Sequence, residues 1–351
     1  MELKEIRKQI DILDGKIIQN LNDRMEMAIL AKRFKTEIED PQREKEILDK
    51  ISNRTKHLFQ VELLKQIFSE IIGESKRLQK IDHKLIGFQG EHGAYSELAA
   101  LFWNEKYVGI PCKEFTDVFD GVASGWYDFG IVPVENTLGG VVGPVNDLLL
   151  QTDLFVVGAI EMPVSHCLMI VPGADHREIR SVYSHSQALS QCKHFLARNK
   201  LEPISYYDTA GAARMLAEKN LKGYAVIASK LAAELYNLEI IKESVEDLST
   251  NRTRFLILSR EKFDGEGEKC SIIFSTEHKA GTLFNVLEIF AKAGINLTRI
   301  ESIPGQLGEY SFFLDFVGSE HDEKVEAALK KVGEMTGSLR LIGCYKERKI
   351  A

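Results

Sequence analysis

Polar residues interrupt two apolar helical stripes near the start of the chain, and each interruption is a place where chemistry can sit. Leu3, Ile6, Ile10, Leu13 and Ile17 repeat at spacings of three and four, and the stripe continued in phase reaches Asn20, Arg24 and Met27. A cation on a buried stripe is costly unless it meets an anion. Val61, Leu64, Phe68, Ile71 and Leu78 form another stripe, which Ser75 breaks, and Gln79 follows one turn on along the same face. Lys35 lies three turns beyond Arg24 along a continuing helix, on nearly the same face. Asp40-Pro41 reads as an N-cap and first helical residue, so Arg43 stands in a first turn that disfavours cations. Arg24, Lys35, Arg43, Ser75 and Gln79 together suit a polar cavity for a small dianion. Arg7 precedes Arg24 by about 25 Å of straight helix. It is therefore either a surface residue or part of a second subunit's site.

Further along, polar groups collect where short apolar runs end. Gly87 to Ser96 is a glycine-bearing loop between a strand and a helix, spaced G-x-x-G-x-x-G and lacking a P-loop lysine. Its helix N-terminus favours an anion, but a nucleotide site is poorly supported. Pro133-Val134-Glu135-Asn136-Thr137 ends a second strand and Ser184-His185-Ser186-Gln187 a third, with Gln191 a turn later; Thr250 to Phe255 opens a fourth. Strand ends are where open α/β sheets bind ligands. His185, Cys192 and His194 lack a partner element at metal-ligand spacing and read as structural, so no metal is expected.

The elements that hold these residues divide the chain in three. Residues 1–80 hold two of the 26 glycines (Gly15 and Gly73), one of the eight prolines and 32 charged residues, the mark of a helical segment. From Leu85 short apolar runs alternate with helical patterns, as in an α/β domain with a largely parallel sheet. After the polar break at residues 264–268 the order reads strand Cys270–Thr276, helix Gly281–Ala293, strand Asn296–Ile303, strand Glu309–Val317, helix Glu320–Val332 and strand Ser338–Tyr345. That βαββαβ order is ferredoxin-like. The expected boundaries are 1–82, 83–263 and 268–351. Net charge is −7 over 351 residues, which disfavours a nucleic-acid or anionic-membrane partner. No apolar run is long enough to span a membrane, and the charged first residues do not suit a signal peptide. The five cysteines are dispersed, without CxxC, and read as reduced thiols of a cytoplasmic protein.

On these residues the segment 3–80 resembles the AroQ-type chorismate mutase domain, all-helical and an intertwined dimer in its relatives. Every functional position of that family is filled, by Arg7, Arg24, Lys35, Asp40, Arg43, Glu44, Ser75 and Gln79. The resemblance implies that Arg24 and a partner subunit's Arg7 hold the substrate carboxylates. Lys35 and Gln79 then address the ether oxygen and Glu44 the ring hydroxyl. Residues 84–262 resemble a prephenate dehydratase domain, bilobed like a periplasmic binding protein, most specifically at Val134-Glu135-Asn136-Thr137 and Thr253-Arg254-Phe255. Thr253 is by resemblance the essential residue, Asn136 and Gln191 match site positions, and Glu135, Thr137, Ser184 and Arg254 are expected beside them. Ser186 stands where the family has proline.

The βαββαβ tail resembles an ACT regulatory domain of the phenylalanine-binding kind. Gly281-Thr282-Leu283-Phe284 aligns with one ligand loop and Glu301-Ser302-Ile303-Pro304 with the other, Ile303 replacing an arginine.

The expected architecture is thus a helical bundle, a bilobed α/β domain and an α+β ferredoxin-like module. The expected protein converts chorismate to prephenate and prephenate to phenylpyruvate, with L-phenylalanine as inhibitor. It needs no cofactor and forms a homodimer or homotetramer. The rivals are a mutase fused to an NAD-dependent dehydrogenase, disfavoured by the missing GxGxxG, and a mutase fused to a non-catalytic amino-acid-sensing module.

Overall fold

Three helices account for the first unit: Leu3–Ala31, Pro41–Arg54 and Val61–Lys80. A computed structural model describes residues 3–54, 58–304 and 309–351 of the chain, which divides into compact units between Leu85 and Ile86. The third helix packs against both of the others and buries Ile72, Ser75 and Gln79. The helix from Pro41 starts as its sequence dictates, with Asp40 Oδ1 accepting from the Arg43 N–H at 2.9 Å. The first helix ends at Ala31, earlier than the stripe suggested, and a 3-10 turn over Lys32–Phe34 leaves Lys35 in extended backbone. The apolar stripe of that first helix lies open: Leu3, Ile10, Leu13 and Ile17 are 50–62% exposed.

The second unit carries three sheets among the described residues. The first lobe has strands Leu85–Gln89, Val108–Cys112, Phe129–Asn136, Phe155–Pro163 and Arg252–Ser259. The second lobe has Cys167–Ile170, Ser181–His185, Glu202–Tyr206, Tyr224–Ala228 and Glu239–Lys242. Both sheets are mixed, which corrects the expected largely parallel arrangement. Leu85–Gln89 runs parallel to Phe129–Asn136, but Arg252–Ser259 is antiparallel to both its neighbours. The reason is connectivity. The chain leaves the first lobe after Pro163 and re-enters it at Arg252, and the returning strand inserts against the direction of the rest. One apolar core runs through both lobes, from Ile86, Phe88 and Ile257 to Met169, Val226 and Ala232.

The glycine-bearing loop serves this lobe contact. Gly93 has φ +90°, and a Cβ there would lie 2.8 Å from the Ala232 Cα. The loop's carbonyls at His92 and Gly93 accept from Tyr236 and Ser229 of the second lobe. Its Gly93 N–H donates to Glu97 at 2.6 Å, so a side-chain carboxylate occupies the expected anion position.

The C-terminal module forms a four-stranded antiparallel sheet in the order Leu297–Pro304, Glu309–Val317, Lys269–Glu277, Ser338–Tyr345, with helices Thr282–Lys292 and Glu323–Met335. The βαββαβ reading holds throughout. After it the chain adds a strand that the sequence did not announce: Glu347–Lys349 pairs in parallel with Phe155–Pro163 of the first lobe. The thiol expectation is corrected at one pair. Cys270 and Cys344 face each other across adjacent strands, with Cα atoms 4.1 Å apart, and are disulfide-bonded. Their separation of 74 residues hid the pairing. Cys112, Cys167 and Cys192 are free and buried.

Candidate active sites

In the helical unit Arg24 reaches across to the third helix, its guanidinium donating to Ser75 Oγ at 2.6 Å. Burial lowers the Arg24 pKa, and Ser75 and Gln79 are almost fully enclosed. Gln79 Oε1 is buried without a partner. Glu44 faces the same helix and pairs with Lys76 Nζ at 3.0 Å. Lys76 was not anticipated; its one signal was its place beside Ser75. Lys35 is not drawn into this group: it is exposed and donates to Ile38 O at 3.0 Å, because the helix ends before it. The Arg43 side chain pairs with Glu46 at 3.2 Å in solvent, and Arg7 is exposed on the first helix.

The second unit holds a cavity of about 360 Å³ between its lobes. Gln89, Tyr95, Ser96, Asn136 and Thr253 line it from the first lobe, His185, Gln187, Gln191 and Asp208 from the second, with His166 at the crossing. Asn136 is the hub. Its Nδ2 donates to Thr253 Oγ1 at 2.9 Å and to Asn251 Oδ1 at 2.8 Å. Its Oδ1 accepts from the N–H groups of Leu138 and Gly139, at 3.1 and 2.7 Å, and from Gln191 Nε2 at 3.3 Å. Strand pairing brings this about, since Thr253 is directly opposite Asn136 and their side chains share a face. Burial raises the pKa of Asp208, whose carboxylate caps the helix Thr209–Lys219 through the Gly211 N–H at 2.7 Å.

Three family models match along the chain in this order: chorismate mutase type II over residues 6–80, prephenate dehydratase over 86–263 and the ACT domain over 271–334. A bifunctional chorismate mutase/prephenate dehydratase of Aquifex aeolicus is 36% identical over 98% of each chain. The chain belongs to the bifunctional chorismate mutase/prephenate dehydratases. The corresponding protein of Pseudomonas aeruginosa is 32% identical over 98% of this chain and 97% of its own. The crystal structure of a prephenate dehydratase from Arthrobacter aurescens in complex with L-Phe, 27% identical, superposes with a TM-score of 0.70 over 75% of this chain and 89% of that one. Membership makes the chain an enzyme and sets aside the dehydrogenase fusion and the non-catalytic sensor. No helix among the described residues is long and apolar enough to cross a membrane.

Within the dehydratase domain three expected site residues fall elsewhere. Arg254 follows Thr253 on one strand, so its side chain leaves by the opposite face. There its guanidinium donates to Asp315 and Glu347, both at 2.5 Å, and to Tyr345 Oη at 2.9 Å, all residues beyond the dehydratase match. Glu135 is paired with Arg254 and shares that face, away from the cavity. A bulge at Val134 then returns Pro133 to the cavity side. Ser184 is fully buried, its hydroxyl donating to Ile227 O at 2.6 Å within the second-lobe sheet. Thr137 lies at the margin and is exposed; its hydroxyl donates to Thr250 O at 3.0 Å and fastens the two loops together. Tyr95 and Asn251 lie in the strand-end segments Gly87 to Ser96 and Thr250 to Phe255 without having been singled out there, and His166 was missed, its apolar run carrying no signal by itself.

In the ACT domain Gly281, with φ +88°, caps the helix from Thr282, whose hydroxyl donates to Lys279 O at 3.0 Å. Leu283 follows in the first turn, while Glu301 and Ser302 lie on the edge strand, two strands away from Lys269–Glu277 in the sheet order.

Proposed function

We propose that the helical unit carries out the Claisen rearrangement of chorismate and that the cavity between the lobes converts prephenate to phenylpyruvate. The observation that carries the reading is the pair of differently built polar sites. One sets the Arg24 guanidinium against the buried Ser75 and Gln79; the other is a cavity lined by amides, hydroxyls and imidazoles with one carboxylate, Asp208.

The rearrangement needs neither nucleophile nor proton transfer. It needs a compact conformer and stabilisation of charge on the breaking ether oxygen. Arg24, drawn from solvent and steadied by Ser75, offers a fixed cation to a carboxylate. Gln79 Oε1 is buried without a partner at a cost of ~1–3 kcal/mol, and a half-turn of the amide presents its Nε2 donor to the ether oxygen. Lys35 and Arg43 meet the ligand after side-chain movement. Arg7 acts from a second copy, whose docking also covers the open apolar stripe of the first helix.

In the cavity, the electron pair of the breaking carboxylate C–C bond enters the ring as the C–O bond breaks and aromatises the substrate. The enzyme's task is therefore to hydrogen-bond the departing hydroxide, which takes its proton from solvent. Thr253 Oγ1 accepts from Asn136, which leaves its own O–H free to donate to the departing oxygen. Gln191, Asn136 and the walls beyond them place prephenate with its ring carboxylate poorly solvated. L-phenylalanine inhibits through the ACT domain, with Gly281–Leu283 and Glu301–Ser302 as its contacts.

The test is a separation of activities in full-length protein. Arg24→Ala is expected to lower mutase kcat/KM by about 1,000-fold and leave phenylpyruvate formation from prephenate intact. Thr253→Val is expected to do the reverse. Loss of both activities in either folded variant would sink the assignment.

A further inference from the structure

The side chains behind Thr253 form a chain of hydrogen bonds whose direction is fixed at one end by the backbone. The Leu138 and Gly139 N–H groups both point at one atom of the Asn136 carboxamide, which must therefore be its oxygen. Its Nδ2 then faces Thr253 Oγ1 and Asn251 Oδ1. Asn251 in turn presents Nδ2 to Gln191 Oε1 at 3.1 Å, while Gln191 Nε2 donates back to Asn136 Oδ1. Gln191 Oε1 is thus an acceptor on every side, and the ring nitrogen 2.9 Å from it, His166 Nε2, must carry a proton. In neutral imidazole the other nitrogen is then an acceptor. It lies 2.8 Å from the Tyr95 hydroxyl, whose one proton also faces the Ser165 carbonyl oxygen at 2.7 Å and is shared between the two acceptors.

His166 is 2% exposed and sits between the strands Phe155–Pro163 and Cys167–Ile170, where the chain crosses from lobe to lobe. Were its proton on Nδ1, two lone pairs would face each other at Gln191. Turning the Gln191 amide would only pass the clash to Asn136, whose oxygen the two backbone donors hold in place. Burial lowers the His166 pKa and so favours the neutral ring.

We propose that His166, in its Nε2–H form, is a positioning residue of the dehydratase reaction: it holds the Gln191 amide against Asn136 and Asn251 and so keeps in place the cavity wall on which Thr253 rests. This rests on the reading that Thr253 serves the departing hydroxyl.

The test compares two side chains of similar polarity in the full-length enzyme. His166→Gln keeps an N–H near the Nε2 position, whereas His166→Asn places its amide nearer Nδ1. Dehydratase kcat and KM for prephenate, mutase kcat and the thermal midpoint are measured for each, with Thr253→Val alongside. His166→Asn is expected to lower dehydratase kcat by about 100-fold with KM within about threefold of the parent, and His166→Gln to restore most of that loss. Mutase kcat stays at the parent value in both. Equal activity of the two variants at comparable midpoints would overturn the proposal. Should Thr253→Val keep its activity, the reading of the site fails instead. An inactive Thr253→Val beside a fully active His166→Asn defeats the positioning role alone.

Discussion

Thr253 and Arg254 are neighbours that serve different ends of the molecule. The strand's two-residue period turns the hydroxyl towards the cavity and the guanidinium towards Asp315, Tyr345 and Glu347. As a motif the two residues read as one site, because sequence adjacency carries no information about faces until the strand register is known. The same blindness placed Glu135 beside Asn136 in function as well as in sequence. Arg254→Leu is expected to destabilise the second unit by ~3–5 kcal/mol, because it removes the ion-pair partner of the fully buried Asp315 and leaves Glu347 to Lys269 alone. Urea denaturation followed by far-UV circular dichroism measures this, with Thr253→Val as the near-neutral control. Acid reaches the same cluster through Glu347. Burial alone would raise its carboxyl, but Arg254 and Lys269 prevail and hold it below the usual range. A carboxyl depressed in the folded state stabilises at pH above its unfolded value, about 4.3, and loses that contribution as pH falls through the folded one. Stability is therefore expected to fall below about pH 4, less steeply in Glu347→Gln, as read from urea midpoints across pH.

At the scale of elements, periodicity was informative wherever an element has one wet face. The ACT strands and helices alternate against a single core and were legible to within a few residues. The dehydratase sheets were misjudged as largely parallel, since a strand buried on both faces reads the same in either direction. Lys35 was misplaced because the stripe it extends outlasts the helix. The strand Glu347–Lys349 was invisible for another reason: it is short, charged and held by contacts from distant parts of the chain. Arg348 stacks on Trp103 at 4.8 Å and donates to its carbonyl at 2.9 Å, while Arg252 donates to Ile350 O at 2.5 Å. Removing residues 347–351 is expected to lower the thermal midpoint by at least 5 °C, about 2 kcal/mol or more, and to increase amide exchange along Phe155–Pro163. Unchanged exchange there would show the strand to be dispensable.

For the molecule as a whole, the open stripe on the first helix is the largest unmet demand. Its residues face solvent in a single chain, and the proposed dimer meets that demand while bringing Arg7 to a second site. Ile10→Asp is expected to shift sedimentation towards a smaller species and to cut mutase activity by more than tenfold, with phenylpyruvate formation from prephenate preserved. A variant that still sediments like the parent would argue against this interface.

The strand Glu347–Lys349 also bears on how such a chain matures. A nascent polypeptide makes Phe155–Pro163 long before it makes the segment that flanks it, so throughout that interval one border of the first-lobe sheet stays unzipped. Anything that slows the ribosome across the ACT region prolongs the exposure. Stray edge-to-edge pairing between immature copies is then the hazard to look for, rather than failure of the finished enzyme.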